Sequence, residues 1–283
     1  MVRLVKILSK KKLAPTVCEL IIEAPLIAHK CKPGQFVMVL ADETSERIPL
    51  TIGDSDAEKG TITMVIQQVG NTSRHICNDF AEGDSLQDVL GPLGQPSEMG
   101  NFGTVVMVCG GIGVAPVHPI AEAYHKLGNK VITIIGGRNK DLILWKDKMA
   151  KISDELIITT DDGSEGIKGF VTQPIQEMME KGNKPDLVVA IGPVPMMMNV
   201  AKTTRPFGVK TTASLSCIMV DGTGMCGGCR VRVGDENKFT CCDGPEFDAH
   251  LVDWDNLIQR GKMYKDMEAE EYSCGGHCKC VED

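Results

Sequence analysis

Cys226 and Cys229 form a Cys-x-x-Cys pair, and Cys241 follows after a short extended stretch with Cys242 directly behind it. Thiolates at this spacing hold zinc or an iron–sulfur centre. A zinc ribbon would want a second Cys-x-x-Cys, which the adjacent 241–242 pair does not supply. Glycines at 222, 224, 227 and 228 suit a loop folded tightly around such a centre, with backbone amides free to bond its sulfur atoms. Cys217 lies close enough in sequence to be a rival ligand, and Cys242 is expected either to be a buried free thiol or to compete with Cys241. Further along, Cys274, His277, Cys278 and Cys280 place four potential ligands in seven residues. They would bind zinc or another metal, or form a plain polar tail.

Other residues speak of phosphate. The string CGGIGVAPVHP, residues 109–119, closes an apolar stretch and opens a helical one. There Gly111 and Gly113 would let backbone approach a pyrophosphate whose charge sits at the helix N-terminus. Pro116 replaces the third glycine of the usual fingerprint and is tolerated in a first helical turn. The next strand ends in GGRNKD, with no acidic residue at its tip for a ribose 2′-hydroxyl. Arg138 either meets a 2′-phosphate there or is a solvated loop arginine, so the residues alone do not choose between NAD(H) and NADP(H). Earlier, in ERIPLTIGD (46–54), Arg47 offers a guanidinium fork and Thr51 a hydroxyl. In VGNTSRH (69–75), Gly70 permits close approach, and Thr72 and Ser73 open a helix. Each piece alone also reads as an ordinary strand or turn. Two of them ahead of a nucleotide domain suggest a flavin lying between.

The elements that must position these residues divide the chain in three. Residues 1–98 read as short strands, at 2–8, 17–23, 35–40, 49–53 and 61–69, with one helix from 71 to about 80. Such punctuation predicts an antiparallel β-barrel or sandwich. Residues 99–210 alternate strands (104–109, 131–135, 156–160, 187–191) with helices (114–127, 142–152, 171–181, 195–203), which predicts a Rossmann-like parallel sheet. Residues 211–283 are rich in Cys, Gly and Asp, with extended pieces at 230–233 and 238–240. They hold too few apolar residues for a core of their own, so a metal centre is expected to stabilise them.

Composition narrows the function. Of 283 residues, 42 % are apolar and 24 % charged, which suits a folded chain, and the net charge of −8 argues against a nucleic-acid partner. No apolar run nears the roughly 18 residues that span a bilayer. The basic-flanked N-terminus does not read as a signal peptide, so a cytoplasmic protein with no membrane partner is expected. Most of the 12 cysteines crowd the C-terminal region, which in a reducing compartment points to metal rather than disulfides.

The ordered motifs Arg-x-Pro-Leu-Thr (Arg47, Pro49, Leu50, Thr51), Gly-Asn-Thr-Ser (Gly70, Asn71, Thr72, Ser73), Gly-Pro-Leu-Gly (91–94), Gly-Gly-x-Gly-x-Ala-Pro (Gly110, Gly111, Gly113, Pro116) and Gly-Pro-x-x-Met-Met (Gly192, Pro193, Met196, Met197) resemble the ferredoxin–NADP reductase superfamily. Within it the chain is similar to dihydroorotate dehydrogenase electron-transfer subunits and to the small subunits of NADH-dependent reduced ferredoxin:NADP oxidoreductases, also called sulfide dehydrogenases. The resemblance implies an FAD-binding barrel, an NAD(P)-binding domain and a C-terminal 2Fe–2S domain. It also implies a heterodimer with a larger flavin and iron–sulfur subunit, where electron bifurcation takes place. The dihydroorotate pattern has a cysteine five positions before the Cys-x-x-Cys, whereas this chain has Asp221. The implied cluster ligands are therefore Asp221, Cys226, Cys229 and Cys241, as in the second group.

A nicotinamide gives two electrons as hydride and a 2Fe–2S cluster takes one at a time; a flavin joins them. Such a relay needs no acid–base pair, so no catalytic side chain is expected, and His75, His118 and His125 read as structural or surface residues. The competing expectations are a dihydroorotate dehydrogenase electron-transfer subunit and, in a different class, a non-catalytic zinc-bearing nucleotide-binding regulator.

Overall fold

The computed structural model describes residues 4–264, so Cys274, His277, Cys278 and Cys280 lie outside the described residues. The N-terminal strands and helices follow in chain order: β1 (Val5–Ala14), β2 (Val17–Glu23), α1 (Pro25–Ala28), β3 (Phe36–Leu40), β4 (Ile48–Thr51), β5 (Asp54–Asp56), β6 (Thr61–Gln67), α2 (Asn71–Asp79), β7 (Ser85–Leu86) and β8 (Asp88–Leu93). They build two antiparallel sheets, ordered β5-β6-β2-β1-β7 and β4-β3-β8. Among the described residues no ladder joins the two into a closed ring. A shared core couples them instead, where Leu20, Ile22 and Met64 of one sheet meet Val37 and Val39 of the other. β1 runs well past residue 8, because Lys10, Lys11 and Lys12 still pair with β2. A ladder asks only for backbone groups, so a polar stretch can extend it.

The middle of the chain gives β9 (Thr104–Gly110), α3 (Val114–Lys126), β10 (Lys130–Gly137), α4 (Lys146–Ala150), β11 (Glu155–Thr160), β12 (Ile167–Lys168), α5 (Thr172–Glu180), β13 (Leu187–Ile191), α6 (Val194–Thr204) and β14 (Lys210–Ser214). These strands form a parallel sheet in the order β12-β11-β10-β9-β13-β14. Their continuous apolar runs suit a sheet covered on both faces. The helix expected at 142–152 is shorter. Trp145 takes a left-handed backbone (φ 51°), which confines α4 to the residues after it.

The last elements are β15 (Arg230–Val233), β16 (Glu236–Phe239), α7 (Thr240–Asp243), β17 (Glu246–Asp248) and α8 (Trp254–Arg260). β15 and β16 make a hairpin, and Thr240, expected to be extended, instead opens α7. β17 adds antiparallel to β14 and so extends the sheet of the middle region. Val231, Phe247, Val252, Trp254 and Leu257 join that sheet's core. At about 2 kcal/mol for each buried apolar side chain, these five contribute on the order of 10 kcal/mol. The C-terminal segment therefore gains its hydrophobic stabilisation by docking, not from a metal alone. Among the described residues no helix is long and apolar enough to cross a membrane.

Candidate functional site

Arg47 stands just before β4, and its Nη2 bonds Asp88 Oδ2 at 2.7 Å. Its Nη1 is buried without a hydrogen-bond partner. A buried guanidinium nitrogen with nothing to donate to is a costly arrangement, and a phosphate oxygen would satisfy it. The segment before β4 is tied to α2: Thr72 Oγ1 accepts from Glu46 N and donates to Glu46 O, both at 3.1 Å. Ser73 Oγ accepts from Val69 N and Gly70 N at 3.0 Å, folding the loop back on the helix start. Both hydroxyls are thus committed to the scaffold. The first-turn amides of α2 remain the groups suited to an anion. Pro49, Leu50 and Thr51 lie along β4, paired with Met38, Val37 and Phe36 of β3, and Asn71 opens α2.

His75 clamps the same region. Its Nε2 lies 2.6 Å from Asp42 Oδ2 and its Nδ1 2.7 Å from Asp79 Oδ2. Asp79, with Asp42, raises the His75 pKa above its ordinary value against the opposing effect of burial. Hydrogen bonds from His75 and Thr44 lower that of Asp42 to about 2. His118, by contrast, is buried against Trp145 at 5.4 Å, and burial pushes its pKa down.

The candidate nucleotide loop lies where β9 meets α3, through a 3₁₀ turn at Gly111–Gly113. Its glycines permit close backbone packing. A Cβ on Gly113 would stand 2.2 Å from Ile191 O, and one on Gly110 would meet Met196 Sδ at 2.6 Å and Pro193 Cδ at 2.8 Å. A Cβ on Gly192 would meet Met196 Cε at 2.8 Å. The motif residues Gly110, Gly111, Gly113, Gly192, Pro193 and Met196 therefore gather at the carboxyl ends of neighbouring strands β9 and β13. Strand order reverses there, which is where open α/β sheets bind ligands. Pro116 sits in the first turn of α3, and Arg138 is exposed just beyond β10.

At the cysteine loop, the β15–β16 hairpin pairs Arg230 with Phe239 and so brings their neighbours together. Cys229 Sγ and Cys241 Sγ are 3.2 Å apart, and Cys241 N–H points at Cys229 Sγ (3.4 Å). Cys242 Sγ follows at 3.7 Å from Cys241 Sγ; it is half-buried rather than buried. Cys226 is exposed, with its Sγ accepting from Gly228 N–H at 3.4 Å. Asp221 accepts from the amides of Thr223 (2.9 Å) and Cys226 (3.1 Å), while Cys217 Sγ accepts from Thr240 Oγ1 (3.1 Å). Two of the four expected ligands thus touch, and Asp221 and Cys226 are linked through the loop backbone. Among the described residues no three such groups converge on a single point. The donor chemistry fits a metal centre nonetheless: paired thiols with amides aimed at sulfur, on a loop whose Gly222, Gly224 and Gly227 all have positive φ. Burial and the neighbouring Cys229 and Cys242 thiols raise the Cys241 pKa, so a cation among them would be needed to hold it as thiolate.

The loop's position was not readable beforehand. Cys229, Cys241 and Met219 pack in one buried cluster with Phe36 and Met38 of β3, the strand paired with β4. Gln95 fastens the arrangement by bonding Gly244 O (2.7 Å) and Cys242 O (2.8 Å).

Residues 217–253 match the model of the iron–sulfur cluster binding domain of dihydroorotate dehydrogenase B, and residues 107–202 match the oxidoreductase NAD-binding domain. A Thermotoga maritima protein called a homolog of the dihydroorotate dehydrogenase B (NAD(+)) electron transfer subunit is 44 % identical, over 94 % of each chain. An uncharacterized protein from Clostridium beijerinckii is 45 % identical over 97 % of each. Among solved structures, one of the NADH-dependent reduced ferredoxin-NADP oxidoreductase, determined for insight into flavin-based electron bifurcation, superposes with a TM-score of 0.90. It is 43 % identical and covers 96 % of this chain and 97 % of that one.

Proposed function

Since the chain belongs to the family of the dihydroorotate dehydrogenase B electron transfer subunit and its homologs, we propose that it moves electrons between NAD(H) and a larger partner subunit by way of FAD and a 2Fe–2S cluster. Bound flavin would supply two-electron chemistry toward a nicotinamide and one-electron chemistry toward a cluster. The chain's own residues hold and orient these groups. Arg47 and the first turn of α2, with Gly70 and Asn71, take the flavin phosphates; Pro49, Leu50 and Thr51 line its strand, and Thr72 and Ser73 fix the loop. Gly110, Gly111, Gly113 and Pro116 admit the dinucleotide, flanked by Gly192, Pro193 and Met196. Arg138 lies near the expected sugar, where it leaves room for NADP(H). Cys226, Cys229, Cys241 and Asp221 hold the cluster.

The observation that carries this reading is the seating of Cys229 and Cys241 on β3, beside the strand with the flavin motif. Phe36 and Met38 of that cluster pair with Thr51 and Pro49 of β4, which supports a short path between cysteine loop and flavin motif. Met225 (89 %) and Val220 (61 %) are exposed on the same loop as exposed Cys226, apolar surface suited to the partner subunit. The bifurcating assembly is favoured over dihydroorotate oxidation by the similarity to the ferredoxin-NADP oxidoreductase structure and by Asp221. The match of residues 217–253 to an iron–sulfur model counts against the zinc-bearing regulator. A visible spectrum of anaerobically purified chain, with iron, zinc and flavin quantified together, tests the proposal. One FAD and two irons per chain are expected; zinc without flavin would overturn it.

A further inference from the structure

Trp145 is the only non-glycine residue with positive φ among the described residues, at 51°. A bulky side chain persists in that conformation only when its surroundings over-determine it, and such outliers gather where geometry matters. Here the surroundings come from both the N-terminal sheets and the middle region. Trp145 Nε1 donates to Glu19 Oε2 on β2 at 2.7 Å. Lys148, on α4, sits 3.8 Å from the indole ring, 3.8 Å from Glu19 Oε2 and 3.9 Å from Asp54 Oδ2 on β5. Buried His118 on α3 meets the indole edge-to-face, with 76° between the ring planes. Gly53, two residues after Thr51, has so little space that a Cβ there would stand 3.1 Å from Trp145 Cη2 and 3.2 Å from Ala115 Cβ.

One side chain thus touches the end of the flavin motif and the start of the helix that follows the nucleotide loop. We propose that Trp145 is a positioning residue: with Glu19 and Lys148 it latches the nucleotide-binding sheet to the N-terminal sheets and sets the distance over which hydride passes. The inference rests on the electron-transfer reading given above. A latch of this kind leaves NADH affinity alone, because none of its members lies in the nucleotide loop. It acts on the reacting geometry, where a displacement of about 1 Å is able to cost about 100-fold in rate.

The test uses the full chain with bound flavin. Trp145→Phe keeps a ring and removes the donor, Glu19→Gln weakens the acceptor, and the double variant combines them. Hydrogen exchange at the amides of residues 53–56 and 114–118 reports the latch independently of any reaction. Anaerobic stopped-flow mixing with NADH reports the limiting rate of flavin bleaching and its half-saturation. Expected are faster exchange in both segments and a limiting rate at least about tenfold lower, with half-saturation within about twofold of wild type. The double variant is expected to be little worse than either single one, as befits a shared bond. Unchanged exchange in Trp145→Phe would overturn the proposal, and so would a rate loss carried by half-saturation alone. A wild-type chain that takes up no flavin would sink the electron-transfer reading, while the exchange arm would still decide whether the latch exists.

Discussion

Replacing Gly113 with alanine isolates what the nucleotide loop requires. Its φ of −58° suits any residue, so conformational freedom is not the issue; space is. The new Cβ would stand 2.2 Å from Ile191 O and 2.8 Å from Ile191 C. Ordinary contact starts near 3.4 Å, so loop and strand must separate by about 1 Å. Ile191 is fixed in the sheet opposite Cys109, so the loop is the part that moves. Overpacking of this kind costs about 2 kcal/mol, which lowers the melting temperature of a chain this size by about 3–4 °C. The displaced loop is expected to bind NADH about tenfold more weakly, a loss of about 1.4 kcal/mol. Gly111→Ala is the control. A Cβ there meets nothing within 4 Å, but φ is +56°, so the penalty is the left-handed conformation alone, about 1 kcal/mol. Calorimetry and NADH titration of both variants give the comparison. If Gly113→Ala melted and bound like wild type, close packing of loop on strand would not be what the glycine provides.

Three further outcomes are expected. Asp221→Cys should keep a cluster while changing its electron paramagnetic resonance spectrum and its midpoint potential; identical spectra would remove Asp221 from the ligand set. The His75 clamp should make stability depend on pH. Because the folded pKa of His75 is raised, its contribution is complete below the ordinary value of 6.5 and is lost as pH rises through the raised one. The melting temperature should therefore fall over that range in wild type and stay flat in His75→Gln. Asp42, lowered to about 2, adds the opposite dependence at the acid end, lost as pH falls through that value. Finally, Cys77 has a lowered pKa, first through its hydrogen bond with Cys18 and then, against burial, through Lys10, while that of Cys18 is raised. Iodoacetamide should therefore modify Cys77 before Cys18, and more slowly in Cys18→Ala, as read by peptide mass spectrometry.

Strands 104–109, 131–135, 156–160 and 187–191 were legible because parallel strands covered on both faces read as unbroken apolar runs. β14 and β17 were not. Lys210–Ser214 and Glu246–Asp248 are short and polar, and they become strands only because β13 offers an edge to extend. The break before α4 was equally invisible, since nothing local predicts a left-handed tryptophan. Among the candidate site residues, the cysteine spacing announced a metal loop but not its partners. That Cys229 touches Cys241 follows from the hairpin register, and that both rest on β3 follows from tertiary packing. Thr72 and Ser73 were legible as types, yet their hydroxyls turn toward Glu46 and Gly70, which only the fold reveals.

The pairing of β17 with β14 also bears on how the protein is made. During synthesis, residues 104–214 leave the ribosome before β17 does, at about 5–20 residues per second, so for some seconds the outer edge of β14 has no strand beside it. An open edge invites pairing with another chain. Phe247 and Trp254, which complete the core on that side, arrive in the same late stretch. Asp221, Cys226, Cys229 and Cys241 all precede β17, so the metal loop emerges during the interval in which the edge is open. Sealing the edge then pins the loop's far end through the Gln95 bonds to Cys242 and Gly244. Maturation of the nucleotide unit is thereby tied to arrival of the cysteine segment, and a nascent chain stalled between 214 and 246 would be the form most prone to aggregate.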